Sequence, residues 1–120
     1  MPTDAKVVVD MYELVKATLP AIGRFPKTHR FTVGERLETR LLDVLELLEQ
    51  ARFGDRRAEA LRDADRKLQS VSTLLRLACD LQFVSQGQYG ELSERLVNVG
   101  RQIGGWRKQV AGKKGSDGTL

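Results

Sequence analysis

Hydrophobic residues recur along this chain at alternating steps of four and three, in four separate stretches. The clearest series is Leu37, Leu41, Val44, Leu48 and Ala51. That spacing lines one stripe of an α-helix. Leu42, Leu45 and Leu47 widen the stripe, so this helix is expected to touch more than one neighbour. Glu35, Arg36, Glu38, Arg40, Asp43, Glu46 and Glu49 take its other faces. The pattern predicts a helix from about Val33 to Phe53. Pro26 stops whatever precedes it, because its ring fixes φ and removes a donor. Thr32 stands where an N-cap would, with Glu35 three residues on, which is the spacing of a capping box.

The other three series predict helices on either side. Asp4 caps a first helix running to about Gly23, with Val8, Tyr12, Val15, Leu19 and Ile22 as its stripe and Met11 alongside. Pro20 lies inside that pattern and is expected to kink the last turn. Arg24 to Phe31 reads as a connecting loop carrying Arg24, Lys27, His29 and Arg30. A third helix is predicted from about Arg56 to Val84. Leu61, Ala64, Leu68, Val71, Leu75 and Ala78 form its first stripe, and Leu74, Leu77, Leu81 and Val84 a second. Ser85–Gly90 reads as a turn. The fourth helix, from Tyr89 or Glu91 to about Val110, carries Leu92, Leu96, Val99, Ile103, Trp106 and Val110. Short connections between such helices make neighbours antiparallel. The expected fold is all-α, an antiparallel up-down four-helix bundle spanning residues 1–111. Residues 112–120, rich in glycine and lysine, read as a flexible basic C-terminal tail.

Composition narrows this picture. One hundred and twenty residues with 41% hydrophobic and 30% charged content suit a single helical domain. The net charge is +4, from twenty Lys and Arg against sixteen Asp and Glu. A basic surface must therefore come from segregation of charge, and either a nucleic acid or an acidic protein is a compatible partner. Cys79 is the only cysteine, so no disulfide forms within the chain, and a cytoplasmic location is expected. No apolar run approaches the ~20 residues that span a bilayer, and the N-terminus lacks the pattern of a signal peptide.

Candidate chemistry is sparse. His29 is the only histidine, and no His or Cys pair has metal-ligand spacing. A His29–Cys79 nucleophile pair is opposed by the apolar surroundings of Cys79, where a thiol serves as core filler. Glu35, Glu38, Glu46 and Glu49 lack the Glu-x-x-His partners of a di-metal bundle site and alternate with arginines, as solvated faces do. No phosphate-cradling glycine motif is present. The chain is expected to be no enzyme, with no cofactor, no metal and no small-molecule substrate.

The basic residues say more. Arg62, Arg66 and Arg76 fall near one face of the third helix, with Gln69 and Thr73 between them. On the fourth helix Arg101 and Lys108 share a face, with Arg95 and Arg107 close by, and Lys113 and Lys114 extend the positive end. Arginines so placed could track phosphates. The plainer alternative pairs each with a neighbouring acid, Arg62 with Asp65 or Arg66 with Asp63. Gly100, Gly104 and Gly105 interrupt the fourth helix at a cost of about 1 kcal/mol each relative to Ala. Close approach of another helix, within the bundle or from a second subunit, would offset that, and a helix break before Trp106 is the other alternative. The excess apolar residues on the second and third helices also favour self-association.

The order and spacing of Leu19-Pro20-Ala21-Ile22, Pro26-Lys27 with its basic loop, Leu41–Ala51, Asp65, Leu68, Leu75-Arg76, Val99-Gly100-Arg101, Ile103-Gly104 and Trp106 resemble a known family. It is the four-helix-bundle family of the accessory variability determinant (Avd) proteins of diversity-generating retroelements and the proteins of 23S rRNA intervening sequences. The resemblance implies a barrel-shaped homopentamer with a basic surface. It implies a non-catalytic accessory that binds the element's reverse transcriptase and nucleic acid, template RNA or cDNA, during error-prone copying. Arg76 and Arg101 fall where members of the family also carry arginine. The same resemblance leaves an alternative, an intervening-sequence-type bundle protein with no retroelement partner.

Overall fold

A computed structural model describes the backbone of residues 3–118 and the side chains of residues 4–112. The tail expected at 112–120, with Lys113 and Lys114, lies outside the described side chains from residue 113 onward. Four long helices make up the described chain: α1 (Thr3–Gly23), α2 (Glu35–Phe53), α3 (Arg57–Asp80) and α4 (Gln86–Gly118). Among the described residues there is no strand.

The helices pack as a four-membered ring in chain order, with α4 closing against α1. Specific pairs fix the directions. Asp4, at the start of α1, meets Arg52, at the end of α2, at 3.5 Å. Lys67 of α3 meets Asp43 of α2 at 3.3 Å, and Arg57 Nε donates to the Ala51 carbonyl at 2.8 Å. On the other side Leu68 lies against Gly100 and Asp65 against Arg107. Residue numbers therefore rise on one helix as they fall on the next, and the bundle is antiparallel. It is elongated, 56 × 23 × 21 Å.

Three of the five predicted stripes form the core. The second stripe of α3 does not, since Leu77 and Leu81 are exposed, Leu74 is partly buried and only Val84 is buried. Leu37, Leu41, Val44, Leu48 and Ala51 are all buried, as are Leu61, Ala64, Leu68, Val71, Leu75 and Ala78. Leu92, Leu96, Val99, Ile103 and Trp106 complete the α4 side, with Val110 packed at its edge. The first helix differs. Its buried face is Val7, Met11, Leu14, Thr18 and Ala21, with Val15 and Ile22 beside it, whereas Tyr12 is 55% exposed. The stripe is turned by one residue, about 100°, from the one its spacing predicts. Thr18 is the reason. Its hydroxyl donates to the Leu14 carbonyl at 2.7 Å, which meets the hydrogen-bonding need that would otherwise keep a threonine out of the core.

The connections also differ from expectation. Of the stretch read as a loop only residues 24–26 are non-helical: Lys27–His29 forms a single turn and Arg30–Gly34 a π-helical segment that runs directly into α2. No capping box forms. The chain is already helical before Glu35, whose N–H donates to the Thr32 carbonyl, so Thr32 has no free donor to cap. Its hydroxyl instead donates to the His29 carbonyl at 3.2 Å. Gly34 allows this entry: a Cβ there would lie 3.1 Å from Ile22 Cγ2 and 3.4 Å from the Phe25 ring. At the other end of α2 a Cβ on Gly54 would sit 2.6 Å from the Gln50 carbonyl oxygen, so the glycine terminator is sterically required.

Helix α3 stops at Asp80, short of the predicted Val84. The Gln82 N–H donates to the Cys79 carbonyl and the Phe83 N–H to the Ala78 carbonyl, at 2.9 and 2.8 Å, a Schellman motif with Gln82 at φ 66° in the position usually held by glycine. Ser85 then caps α4 through its hydroxyl, which accepts from the Gln88 N–H at 3.1 Å. The helix begins at Gln86, earlier than predicted, because this serine outweighs the glycines that follow it. Phe83 holds this end of the bundle together, with its ring centroid 5.4 Å from Phe25 and 4.9 Å from a stacked His29.

Candidate nucleic-acid interface

The candidate surface depends on how α4 is held. On its α1 side, Asp10 Oδ2 accepts from Lys6 Nζ at 2.7 Å, Gln102 Nε2 at 2.7 Å and Asn98 Nδ2 at 3.0 Å. The hydrogen bond from Lys6 is the main cause that holds the Asp10 carboxyl below its usual range; the Gln102 and Asn98 amides add to it and burial opposes it. On the α3 side, Arg107 Nη1 donates to Asp65 Oδ2 at 2.5 Å. These polar ties fix the rotation of α4 about its axis, because each can form in only one register.

With α4 so fixed, the outward side of α3 carries Arg62, Arg66, Gln69, Thr73 and Arg76 at alternating steps of four and three, all exposed. Arg62 faces across to α4, where it shares a groove of about 430 Å³ with Ala58, Gly104, Arg107, Lys108 and Ala111. The structure thus gathers Arg62, Arg107 and Lys108. Arg107 is half-buried and bound to Asp65, so its charge is locally offset and it acts as a strut. Neither Arg62–Asp65 nor Arg66–Asp63 pairing occurs: Asp65 is taken by Arg107, and among the described residues Arg62 and Arg66 form no ion pair.

Arg101 is placed apart. It lines a separate groove of about 540 Å³ with Gly90, Ser93, Glu94, Val97 and Asn98, where the Glu94 carboxylate opposes it. Arg95 is exposed and lies in neither groove.

The glycines of α4 resolve differently from one another. Gly100 lies against Leu68, whose Cδ2 would be 3.5 Å from an added Cβ, so part of the expected close packing is within the bundle. Among the described residues no neighbouring helix lies within 4 Å of a Cβ added at Gly104 or Gly105.

The remaining polar chemistry is dispersed. Cys79 is buried, whereas His29 is exposed over Phe83, and no hydrogen bond joins them. Among the described residues no three His, Cys, Asp or Glu side chains gather as a metal site, and no helix is long and apolar enough to cross a membrane. Helical spacing along the sequence does not place the cations of residues 24–40 on the candidate surface. Arg24, Lys27, Arg30 and Arg36 are all exposed around the π-helical segment. The signal was present as a basic stretch, but it lay in a supposed loop with no helical face to place it on.

No curated protein and no solved structure matches the chain. A family model does: the one described as bAvd-like matches residues 6–110, from the first turns of α1 through the core positions of α4, and the chain belongs to that family of Avd-type accessory proteins.

Proposed function

We propose that this protein is a non-catalytic accessory of a diversity-generating retroelement, assembled as a homopentamer, that binds the element's reverse transcriptase and its template RNA or cDNA. Family membership supports the accessory role and the reverse transcriptase partner. The single observation that carries the nucleic-acid part is the exposed row Arg62, Arg66 and Arg76 on α3, continued across the groove by Lys108. Guanidinium groups in that row donate to phosphate oxygens in paired fashion, and their rigid spacing on one helix positions a strand without reading its bases. Arg101 supplies a further cation on α4. Arg107 braces the groove, and Arg95 adds charge without a defined partner. Such a surface would hold template or product while the polymerase performs the chemistry.

Fluorescence anisotropy with a labelled RNA, titrated over salt, tests this reading. Binding should weaken linearly on a log–log plot. Replacing Arg62, Arg66 and Lys108 together by Glu should flatten that line by at least ~0.7 per lost phosphate contact on a single strand. Binding that ignores salt, or a triple variant that binds as the wild type does, rejects the surface. Co-purification with the neighbouring reverse transcriptase tests the partner; a genome with no adjacent reverse transcriptase and template repeat would point to the intervening-sequence type instead.

A further inference from the structure

Residues 24–40 hold five cations, Arg24, Lys27, Arg30, Arg36 and Arg40, against two carboxylates, Glu35 and Glu38, a net +3 in seventeen residues of a chain whose total is +4. The π-helical segment Arg30–Gly34 sits in the middle of this stretch and places Phe31 on the outside, 70% exposed. Phenylalanine left this open serves no core. It stands at a groove of about 500 Å³ between α2 and α3, lined also by Thr32, Glu35, Arg36, Thr39, Arg40 and Leu77. Among the described residues none of the five cations forms an ion pair. By contrast Lys67, Arg52 and Arg107 elsewhere in the bundle each have an acidic partner.

An exposed aromatic ring beside two arginines without ion pairs, Arg36 and Arg40, which outnumber the one carboxylate of the groove, Glu35, is the pairing that single-stranded nucleic acid requires. Unpaired bases stack on the ring, and the guanidinium groups meet the phosphates. A duplex hides the faces of its bases and could use only the cations. A protein partner for the same groove would be served by its leucines but would have to desolvate both arginines, which is costly without matching acids.

We infer that the groove beside Phe31 is a binding site for single-stranded nucleic acid, in which a base stacks on Phe31 while Arg36 and Arg40 hold the flanking phosphates. The inference rests on the nucleic-acid reading above but places a second site, on the other side of α3 from the Arg62–Lys108 groove. Thr39 offers a hydroxyl to sugar or base edges, and Thr32, whose hydroxyl donates to the His29 carbonyl, offers an acceptor.

The experiment uses the full chain with a labelled twelve-nucleotide oligouridylate and a duplex of equal length. Phe31→Ala should weaken single-strand binding between about fivefold and a hundredfold, the range of one lost base stack, and leave duplex binding unchanged. Phe31→Trp should retain binding, and the exposed indole should be quenched by the oligonucleotide, whereas the native Trp106 is buried. Arg36→Glu with Arg40→Glu should weaken both ligands. Unchanged single-strand affinity in Phe31→Ala, or a changed assembly mass in its place, overturns this site while leaving the Arg62–Lys108 surface standing. Failure of the wild type to bind any nucleic acid overturns both.

Discussion

Replacing Asp10 by Ala removes the acceptor that joins α1 to α4. Three donors converge on its Oδ2, from Lys6, Asn98 and Gln102. The Lys6 pair is one helical turn long and exposed, and contributes about 0.3–0.5 kcal/mol. The two amides are half-buried and reach across the helix interface. Hydrogen bonds to a charged group are worth about 1.5–3 kcal/mol each at most, and less where water competes. Gln102 has no spare partner, since its Oε1 is already buried without one. A loss of about 2 kcal/mol follows, which for a chain of this size lowers Tm by roughly 8 °C. Thermal melts followed by circular dichroism at fixed protein concentration read this directly. The pH dependence adds a second condition. Because the folded-state pKa of Asp10 is depressed, its stabilisation is complete above the unfolded value, about 3.9, and is lost as pH falls through the folded value. The gap between wild type and Asp10→Ala should therefore hold steady from pH 7 to about 5 and narrow below about 4. A gap that stays the same at pH 3, or a Tm change under about 2 °C at pH 7, would refute the account.

Other substitutions follow from the same geometry. Gln82→Gly should raise stability by about 1 kcal/mol in denaturant melts, because a residue with a Cβ holds the left-handed C′ position of α3 at a cost that glycine avoids. Gly100→Ala should also stabilise, by up to about 1 kcal/mol, since its Cβ would meet Leu68 at ordinary contact distance and the helix gains propensity. Leu41→Ala should cost about 2–5 kcal/mol in the same assay, because Leu41 is fully buried and its surroundings relax only partly into the cavity left behind.

What the sequence makes legible is the part of the fold that water dictates. On α2, α3 and α4 the four-and-three series is long and regular enough to mark the buried face, although the additional leucines Leu42, Leu77 and Leu81 stay exposed. On α1 the run Val7-Val8-Val9 marks no single face, and Thr18 reads as polar until its bond to Leu14 is seen. The spacing therefore favours Tyr12 in the stripe, with Met11 only alongside it and Leu14 left out. The capping box at Thr32 failed for a related reason: a side chain caps only donors that are free, and backbone continuity through the π-helical segment had used them. The candidate site was legible as a row of arginines on α3, because helical spacing alone puts Arg62, Arg66 and Arg76 together. What spacing could not supply was the cross-helix partner of each charge. Arg107 and Asp65 are 42 residues apart in sequence, and their pairing decides which of the basic residues remain available.

The two grooves flank the same helix, and this has a measurable consequence. Arg62 and Leu77 mark their positions on α3, fifteen residues apart, which is ~22 Å along the axis. Between them the outward side of α3 carries Arg66, Ser70 and Thr73 at helical spacing. A stacked strand rises 3.4 Å per nucleotide, so about six or seven nucleotides are needed to reach from one groove to the other. A tetranucleotide can occupy only one groove. A dodecamer can occupy both, and its second contact is intramolecular, with an effective concentration in the millimolar range. Affinity for oligouridylates should therefore rise steeply between about four and eight nucleotides. The dodecamer should lose affinity on substitution in either groove, by Phe31→Ala or by Arg62→Glu with Lys108→Glu. A tetranucleotide held at the Phe31 groove should respond only to the first. Affinity that grows smoothly with length, with no step and with equal sensitivity of short and long oligonucleotides to both sets of variants, would mean that the cations act as one diffuse field and that α3 is not a track joining two sites.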